Sequence, residues 1–206
     1  LIGNGVLYDE VPLVNGMDVD FAKLEEMVDE KTTMVLIQRS KGYSTRKSLS
    51  MQTIGRICNI VKAKNPDCIC FVDNCYGEFV EDKEPLEAGA DIIAGSLIKN
   101  PGGGIVEAGG YIAGKARLVE RAANRLTAPG IGSEGGAMFN QHRLMFQGLF
   151  MAPSVVSEAV KGAVLAAKIF DEIGYNSTPK YNEKRTDIIQ NITFGSPEPL
   201  EQFCRT

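Results

Sequence analysis

A lysine and a serine stand where they could do chemistry, in the stretch GADIIAGSLIKNPGGG at residues 89–104. Ser96 and Lys99 follow an apolar run and precede a proline and three glycines. Because the lysine precedes the glycines, the phosphate-binding loop of nucleotide hydrolases is absent. GGG also lacks the spacing of a dinucleotide-binding turn. Lys99 is therefore either a Schiff-base nucleophile or an ordinary surface lysine before a turn.

A carboxylate ends the preceding apolar run, CICFVD at residues 68–73. Placing the Asp73 carboxylate at the end of so apolar a strand costs free energy unless a cation pairs with it. A protonated pyridinium nitrogen is one such cation. Asp73 could equally cap the turn that follows. Tyr76 could donate a hydrogen bond to a phenolic oxygen, or could be a half-buried aromatic with a solvated hydroxyl group. Ser96 could donate to a phosphate oxygen, or could simply end its strand.

Alternating strands and helices must position these side chains. Asp18 or Asp20 and Ser50 are expected helix caps, and VNG at residues 14–16 is an expected turn. Strands are predicted at residues 32–38, 68–73, 90–96, 108–114 and 187–195, and helices at 20–30, 50–64, 115–126, 134–150, 154–173 and from 197.

This order predicts an α/β fold with a mostly parallel sheet flanked by helices. Ligands of such folds collect at the carboxyl ends of the strands. That rule brings Asp73, Ser96 and Lys99 to one edge of the sheet. Arg39 and Ser40 follow the strand at residues 32–38, so they are candidate substrate or cofactor contacts at the same edge.

Composition and net charge limit the kinds of partner that the chain is expected to bind. The chain has 206 residues and a net charge of −4, which argues against nucleic acid or an acidic membrane as the main partner. No signal segment is visible, and no apolar run is expected to span a bilayer. The longest apolar run, residues 153–174, carries Glu158, Lys161 and Lys168 and is expected to be a buried helix with a polar stripe.

The five cysteines do not form the paired spacing of a zinc site, and the single histidine, His142, is distant from them in sequence. No metal site is therefore predicted. CICFVDN is typical of a buried strand in which free cysteines pack as small hydrophobic residues. Free thiols and the lack of a visible signal segment favour a cytoplasmic location.

Three motifs, FVDNCYGEF, GADIIAGSLIKNPGGG and GGYIAG, resemble the core of fold-type I pyridoxal-phosphate enzymes when they occur in this order. The second is similar to the cysteine and methionine metabolism branch of that class. QRSKGYSTRKSL, DNCYGEFVE, SLIKNPGGGI and GIGSEGG resemble the aluminium resistance, or methionine gamma-lyase-like, proteins. The similarity extends over essentially the whole chain.

The resemblance implies a pyridoxal 5'-phosphate cofactor, with Lys99 as its Schiff base and as the proton shuttle. It implies that Asp73 pairs with the pyridine nitrogen, Ser96 binds the phosphate and Tyr76 contacts the ring oxygen. Ile98 stands where relatives carry a second hydroxyl group for the phosphate, so that contact must come from elsewhere. The expected activity is a carbon–sulfur lyase on sulfur amino acids, like methionine gamma-lyase or cystathionine beta-lyase. A pyridoxal-phosphate aminotransferase and a non-catalytic metal-stress protein are the alternatives.

The resemblance also implies an interior fragment of a longer protein. Residues 1–176 are expected to form a large cofactor-binding domain whose N-terminal part is missing, and 177–206 the beginning of a small C-terminal domain. Residues 177–184 are the expected linker, and the arginine for the substrate carboxylate is expected after Thr206. The expected partner is a small amino acid, without nucleic acid or membrane. A homo-oligomer, a dimer or tetramer, is expected to use residues 130–136 and 139–150 as its interface.

Overall fold

A computed structural model describes residues 3, 5–136 and 138–206 of the chain. Residues 1, 2 and 4 lie outside the described residues, and so does Ala137, which falls inside the predicted helix 134–150. The first elements form a small hairpin of β1 (Leu13–Val14) and β2 (Asp18–Val19), joined through the predicted turn. Helix α1 (Phe21–Met27) follows, and its N-cap is Asp20, whose Oδ1 accepts from the amide of Lys23 at 2.9 Å.

The central layer is a four-stranded sheet. Its elements are β3 (Met34–Gln38), helix α2 (Met51–Lys64), β4 (Ile69–Asp73), β5 (Ile92–Ser96) and β6 (Gly110–Gly114). The strand order is β3-β4-β5-β6, with the first two pairs parallel and the last pair antiparallel. The predicted α/β arrangement is confirmed as a mixed sheet with flanking helices. The antiparallel strand β6 returns the chain after the Lys99 loop.

The core lies between α2 and the sheet. Helix α2 begins after Ser50, the predicted cap, whose Oγ accepts from the amide of Thr53 at 3.1 Å. The buried face of α2 carries the predicted helical repeat and packs in one cluster with residues of β3–β5, among them Ile54, Ile57, Cys58, Val61, Cys70, Val72 and Ile93. Removing such side chains from water stabilises the sheet by about 25 cal/mol per Å² of apolar area. The cysteines of this cluster are free and buried, as the apolar run predicts.

Helix α3 (Ala116–Leu126) precedes one long helix, α4 (Gln141–Glu172). The prediction of two helices, 134–150 and 154–173, is wrong, because one continuous helix runs through the predicted break between them. The residue before a proline disfavours helical backbone, but α4 continues through Pro153. The φ angle of proline suits a helix, and the packing on both sides outweighs the lost hydrogen bond.

The expectation that the apolar run in α4 is buried is also wrong for this chain. The buried residues of α4 are few, namely Gly148, Ala152, Val156 and Ala167, and only the last two lie in this run. By length and composition alone α4 could cross a membrane, and 11% of that apolar stretch is buried. The mostly buried core helix of a soluble protein passes the same test. The exposed apolar surface of α4 is therefore compatible with contact to a membrane or to a protein partner.

The C-terminal elements are β7 (Asn176–Thr178), β8 (Asn191–Thr193) and α5 (Pro197–Arg205), with β7 and β8 paired antiparallel. The predicted linker at 177–184 is partly this strand. Ser177 is buried and donates through Oγ to Asp171 at 2.7 Å. An aromatic cluster packs these elements against the end of α4, with ring centroids 5.0 to 6.1 Å apart, and comprises Phe170, Tyr175, Phe194 and Phe203.

Candidate functional site

Two predicted site residues lie at the ends of neighbouring parallel strands. Asp73 is the last residue of β4 and pairs in register with Ala94 of β5, whose last residue is Ser96. The amide of Asn74 donates to the carbonyl of Ala94 at 2.9 Å, so the two strands are still joined where β4 ends. Parallel strands end at the same sheet edge, and this pairing puts Asp73 and Ser96 there.

The side chain of Lys99 reaches the same place. Its Nζ lies 4.3 Å from the centroid of the Tyr76 ring, a cation–π distance. Partial burial lowers the pKa of Lys99, but its neighbours Cys75, Tyr76 and Asp73 outweigh that effect and raise the pKa. The structure therefore brings Lys99, Tyr76 and Asp73 together. Ser96 joins them through the backbone, its carbonyl accepting from the amide of Lys99 at 3.3 Å.

Cys75 is a member of this group for which the sequence pattern predicts no role. Its amide donates to Oδ1 of Asp73 at 3.1 Å. Burial and then the hydrogen bond with Asp73 raise the pKa of its thiol, which keeps it protonated. The signal for Cys75 was its position, because it stands between two predicted site residues, Asp73 and Tyr76, on one tight turn.

The glycines after Lys99 serve packing against α4. A Cβ on Gly102 would lie 1.7 Å from the carbonyl oxygen of Leu97, and one on Gly103 would lie 2.4 Å from that of Gly148 in α4. A Cβ on Gly148 would in turn lie 2.3 Å from the carbonyl oxygen of Gly102. Close approach of two backbones explains Gly102 and Gly103. It fixes the loop of Lys99 on the helix.

A buried acid lies behind the lysine loop. The carbonyl of Glu78 accepts from Nδ2 of Asn100 at 3.0 Å, and Oε1 of Glu78 accepts from the Tyr111 hydroxyl at 2.9 Å. Burial raises the pKa of Glu78 to about 7, against the opposing effect of its hydrogen bonds. A Cβ on Gly95 would lie 2.5 Å from Oε1 of Glu78, so the glycine makes room for this contact. No local sequence pattern marks Glu78, because its environment comes from distant residues.

Arg39 does not take the predicted role as a substrate or cofactor contact. Its side chain is fully buried, with Nη1 donating to Asn74 at 2.8 Å and ion pairs of 3.3 Å to Glu81 and Glu84. A Cβ on Gly77 would lie 2.4 Å from Cδ of Arg39, so the turn after β4 closes over it. Successive side chains of an extended chain point to opposite sides, so the side chains of Arg39 and Ser40 point in different directions.

The side chain of Ser40 is also engaged in hydrogen bonds within the protein. Its Oγ donates to Oδ2 of Asp187 at 2.7 Å, and Ser48 donates to the same oxygen. The backbone amide of Ile188 donates to the carbonyl of Tyr76 at 3.1 Å. The segment around Asp187 therefore lies against both the end of β3 and the turn that carries Tyr76.

Comparisons with known proteins identify the family of the chain. A YnbB protein of Bacillus subtilis, named as uncharacterized, is 46% identical over 198 residues, which is 96% of this chain and 47% of that protein. The solved carbon–sulfur lyase involved in aluminium resistance from Clostridium novyi NT superposes with a TM-score of 0.92 at 48% identity, over 97% of this chain and 48% of that chain. The chain thus spans about half the length of these relatives.

A solved protein of Listeria monocytogenes, whose name provisionally makes it a cystathionine beta-lyase involved in aluminium resistance, gives a TM-score of 0.90 at 50% identity, over 93% of this chain and 47% of that chain. The metB protein of Corynebacterium glutamicum shares the fold alone, with a TM-score of 0.64 at 15% identity over 89% of this chain and 49% of that chain. The family model described as methionine gamma-lyase matches residues 1–206. The chain therefore belongs to the methionine gamma-lyase family, as its motifs predict.

Proposed function

We propose that the whole protein is a pyridoxal-phosphate-dependent carbon–sulfur lyase acting on sulfur amino acids. The observation that carries this is the grouping of the Lys99 amine, the Asp73 carboxylate and the Tyr76 ring at the ends of neighbouring strands, in a chain of this family. The names of the similar solved proteins as lyases support the same activity.

The chemistry of these donors fits pyridoxal phosphate. An aldehyde needs an amine, and Lys99 supplies one in a half-buried position. A cationic ring nitrogen needs a carboxylate, and Asp73 stands at the end of a strand whose other residues are apolar. The Ser96 hydroxyl group is a donor for the phosphate, and the Tyr76 hydroxyl group a donor for the ring oxygen.

When bound, the cofactor supplies an electron sink that stabilises the negative charge left on the substrate Cα. Lys99 would hold the cofactor through its amine and would serve as the general base that takes the proton from the substrate Cα. Its raised pKa favours the ammonium form, and a cationic ring beside it would lower that pKa toward the neutral amine. Asp73 would pair with the ring nitrogen and keep it protonated. The overall reaction would consume water and release a thiol from the β or γ carbon, a keto acid and ammonia.

The domain division and the assembly are part of this proposal. Residues 1–176 form a fold-type I large domain with its N-terminal part outside this chain, and 177–206 begin the small domain. The cytoplasmic protein is a homo-oligomer. Support for the expected interface at 139–150 comes from three exposed aromatic residues, Phe139, Phe146 and Phe150, of which the last two lie on α4.

The deciding experiment incubates the whole protein with pyridoxal phosphate and a panel of sulfur amino acids. Released thiol, keto acid and ammonia are measured together. All three together support a lyase, and keto acid without thiol or ammonia means an aminotransferase. No product and no visible absorbance from bound cofactor would refute the proposal and favour a non-catalytic stress protein, whose aluminium affinity can then be measured.

A further inference from the structure

A buried chain of hydrogen bonds links the turn after β4 to the lysine loop. It starts at Asn74, whose Nδ2 donates to the hydroxyl oxygen of Tyr111 at 3.2 Å. That hydroxyl group donates to Oε1 of Glu78 at 2.9 Å, and the carbonyl of Glu78 accepts from Nδ2 of Asn100 at 3.0 Å. Asn74 directly follows β4, and Asn100 directly follows Lys99. The two junctions that form the candidate site are therefore tied to each other through Glu78.

Two oxygen atoms in this chain of hydrogen bonds lack a donor. Glu78 is 3% exposed and Asn100 is 5% exposed. Within the part of the chain that the structure describes, Oε2 of Glu78 and Oδ1 of Asn100 are buried and have no hydrogen-bond partner. Both atoms are acceptors when the carboxyl group is ionised, and burial of two acceptors without a donor opposes folding. A proton on Oε2 would make that atom a donor for the unfilled acceptor on Asn100. The geometry thus favours a neutral Glu78.

Burial and the nearby charges favour the same neutral form. Burial raises the pKa of Glu78 to about 7, and the charge of Glu84 raises it as well. The hydrogen bond from Tyr111 of β6 and the charge of Arg39 act in the opposite direction, but Arg39 is already paired with Glu81 and Glu84. The lysine loop presents only an uncharged amide to Glu78, and β5 presents only a glycine. Glu78 therefore stays largely neutral below pH 7.

We propose that Glu78 in its neutral form is a positioning residue that holds the Lys99 loop against the turn after β4, and that rising pH loosens this hold. This rests on the proposed function and deepens it, because it makes the placement of the cofactor lysine depend on pH. The closed loop keeps a proton on Glu78, whereas an open loop exposes the carboxyl group to water, where it releases that proton. Loop opening therefore becomes more favourable as pH rises above 4.5, and it levels off above about pH 7, where Glu78 is ionised in both states.

Hydrogen–deuterium exchange of the whole protein without cofactor tests this independently of turnover. The amides of Lys99, Gly102 and Gly103 donate to loop carbonyls and report loop opening, and those of α2 report global unfolding. After division by the intrinsic exchange rates, the opening equilibrium of the wild-type loop should rise about tenfold between pH 6 and pH 8. Glu78→Gln should show no rise, because its amide group is a donor at every pH. Glu107→Gln, which changes an exposed acid after the loop, is the matched control and should respond like wild type.

Tyr111→Phe gives a second variant in case Glu78→Gln does not fold. It removes a hydrogen bond that lowers the pKa of Glu78, so the rise in loop opening should continue to a higher pH than in wild type. A wild-type loop that exchanges no faster than α2, or whose opening does not change with pH, would overturn the inference. The same pH response in every folded variant would overturn it as well. Pyridoxal phosphate absorbance is recorded in parallel, and its absence from wild type counts against the lyase proposal alone, because the exchange measurement needs no cofactor.

Discussion

The Nζ atom of Lys99 lies 4.3 Å from the centre of the Tyr76 ring, on the turn that begins at Asp73. Lys99 and Tyr76 belong to different strand–loop junctions, and parallel pairing of β4 with β5 brings those junctions together. This contact unites an amine, an aromatic ring and a nearby carboxylate at one edge of the sheet. The first prediction tests the amine itself.

Substitution Lys99→Ala should abolish the visible absorbance of bound pyridoxal phosphate and lower the lyase rate about 1000-fold or more, because the covalent link and the base are both lost. Absorbance spectra and thiol release measure the two effects. Lys161→Ala changes an exposed lysine on α4 and should alter neither. Normal absorbance in Lys99→Ala would exclude this lysine as the cofactor link.

Substitution Ser96→Ala should weaken pyridoxal phosphate binding by about tenfold or more, because a hydroxyl donor to a charged phosphate is lost. The affinity for pyridoxal, which has no phosphate, should not change. Fluorescence titration with both compounds separates the two. Ser154→Ala, at an exposed position on α4, is the control. An equal loss for both compounds would contradict a phosphate role for Ser96.

Substitution Gly148→Ala should destabilise the protein by about 1–3 kcal/mol, because the new Cβ meets the backbone of Gly102 in the Lys99 loop. Gly162→Ala lies on the same helix with nothing within 4 Å, and should stabilise it by about 0.5–1 kcal/mol. Urea unfolding gives both free energies. Cofactor absorbance should fall in the first variant only. Equal stability of the two variants would mean that the helix and loop are not in contact.

Substitution Glu78→Gln should remove a pH dependence of stability. The carboxyl titrates near 4.5 when unfolded and has a pKa of about 7 in the folded protein. Between these values the folded state holds more protons, so stability falls as pH rises, by on the order of 3 kcal/mol in total. The amide still accepts from Tyr111. Urea unfolding from pH 5 to pH 8 should therefore favour the variant increasingly, and parallel curves would refute the buried acid.

Substitution Arg39→Met should cost about 3–5 kcal/mol of stability, because Glu81 and Glu84 lose their buried cation. The KM of the folded variant should match that of wild type, since Arg39 makes structural contacts. Arg121→Met, at an exposed position on α3, should change stability by less than about 0.5 kcal/mol. A large rise in KM without loss of stability would restore the role in substrate binding predicted from sequence.

Local sequence patterns determined much of this protein. Helical repeats and caps at Asp20 and Ser50 located α1 and α2, and apolar runs ending at Asp73 and Ser96 located β4 and β5 with their ends. These features depend on neighbours a few residues apart, so the sequence contains their causes. The placement of Asp73, Ser96 and Lys99 at one edge follows from the alternation of strands and helices.

The tertiary structure alone decided the features that depend on distant residues. Arg39 follows β3 in the sequence. Its structural role depends on Asn74 and Glu81, which folding brings to it from the segment after β4. The continuity of α4 through Pro153 and the glycine contact between Gly148 and the Lys99 loop arise from packing. Arg185 lies close enough to Lys41, 144 positions away in the sequence, to lower the pKa of that lysine, and only folding creates this proximity. Burial and charge balance are sums over the whole fold, and no short stretch of sequence contains them.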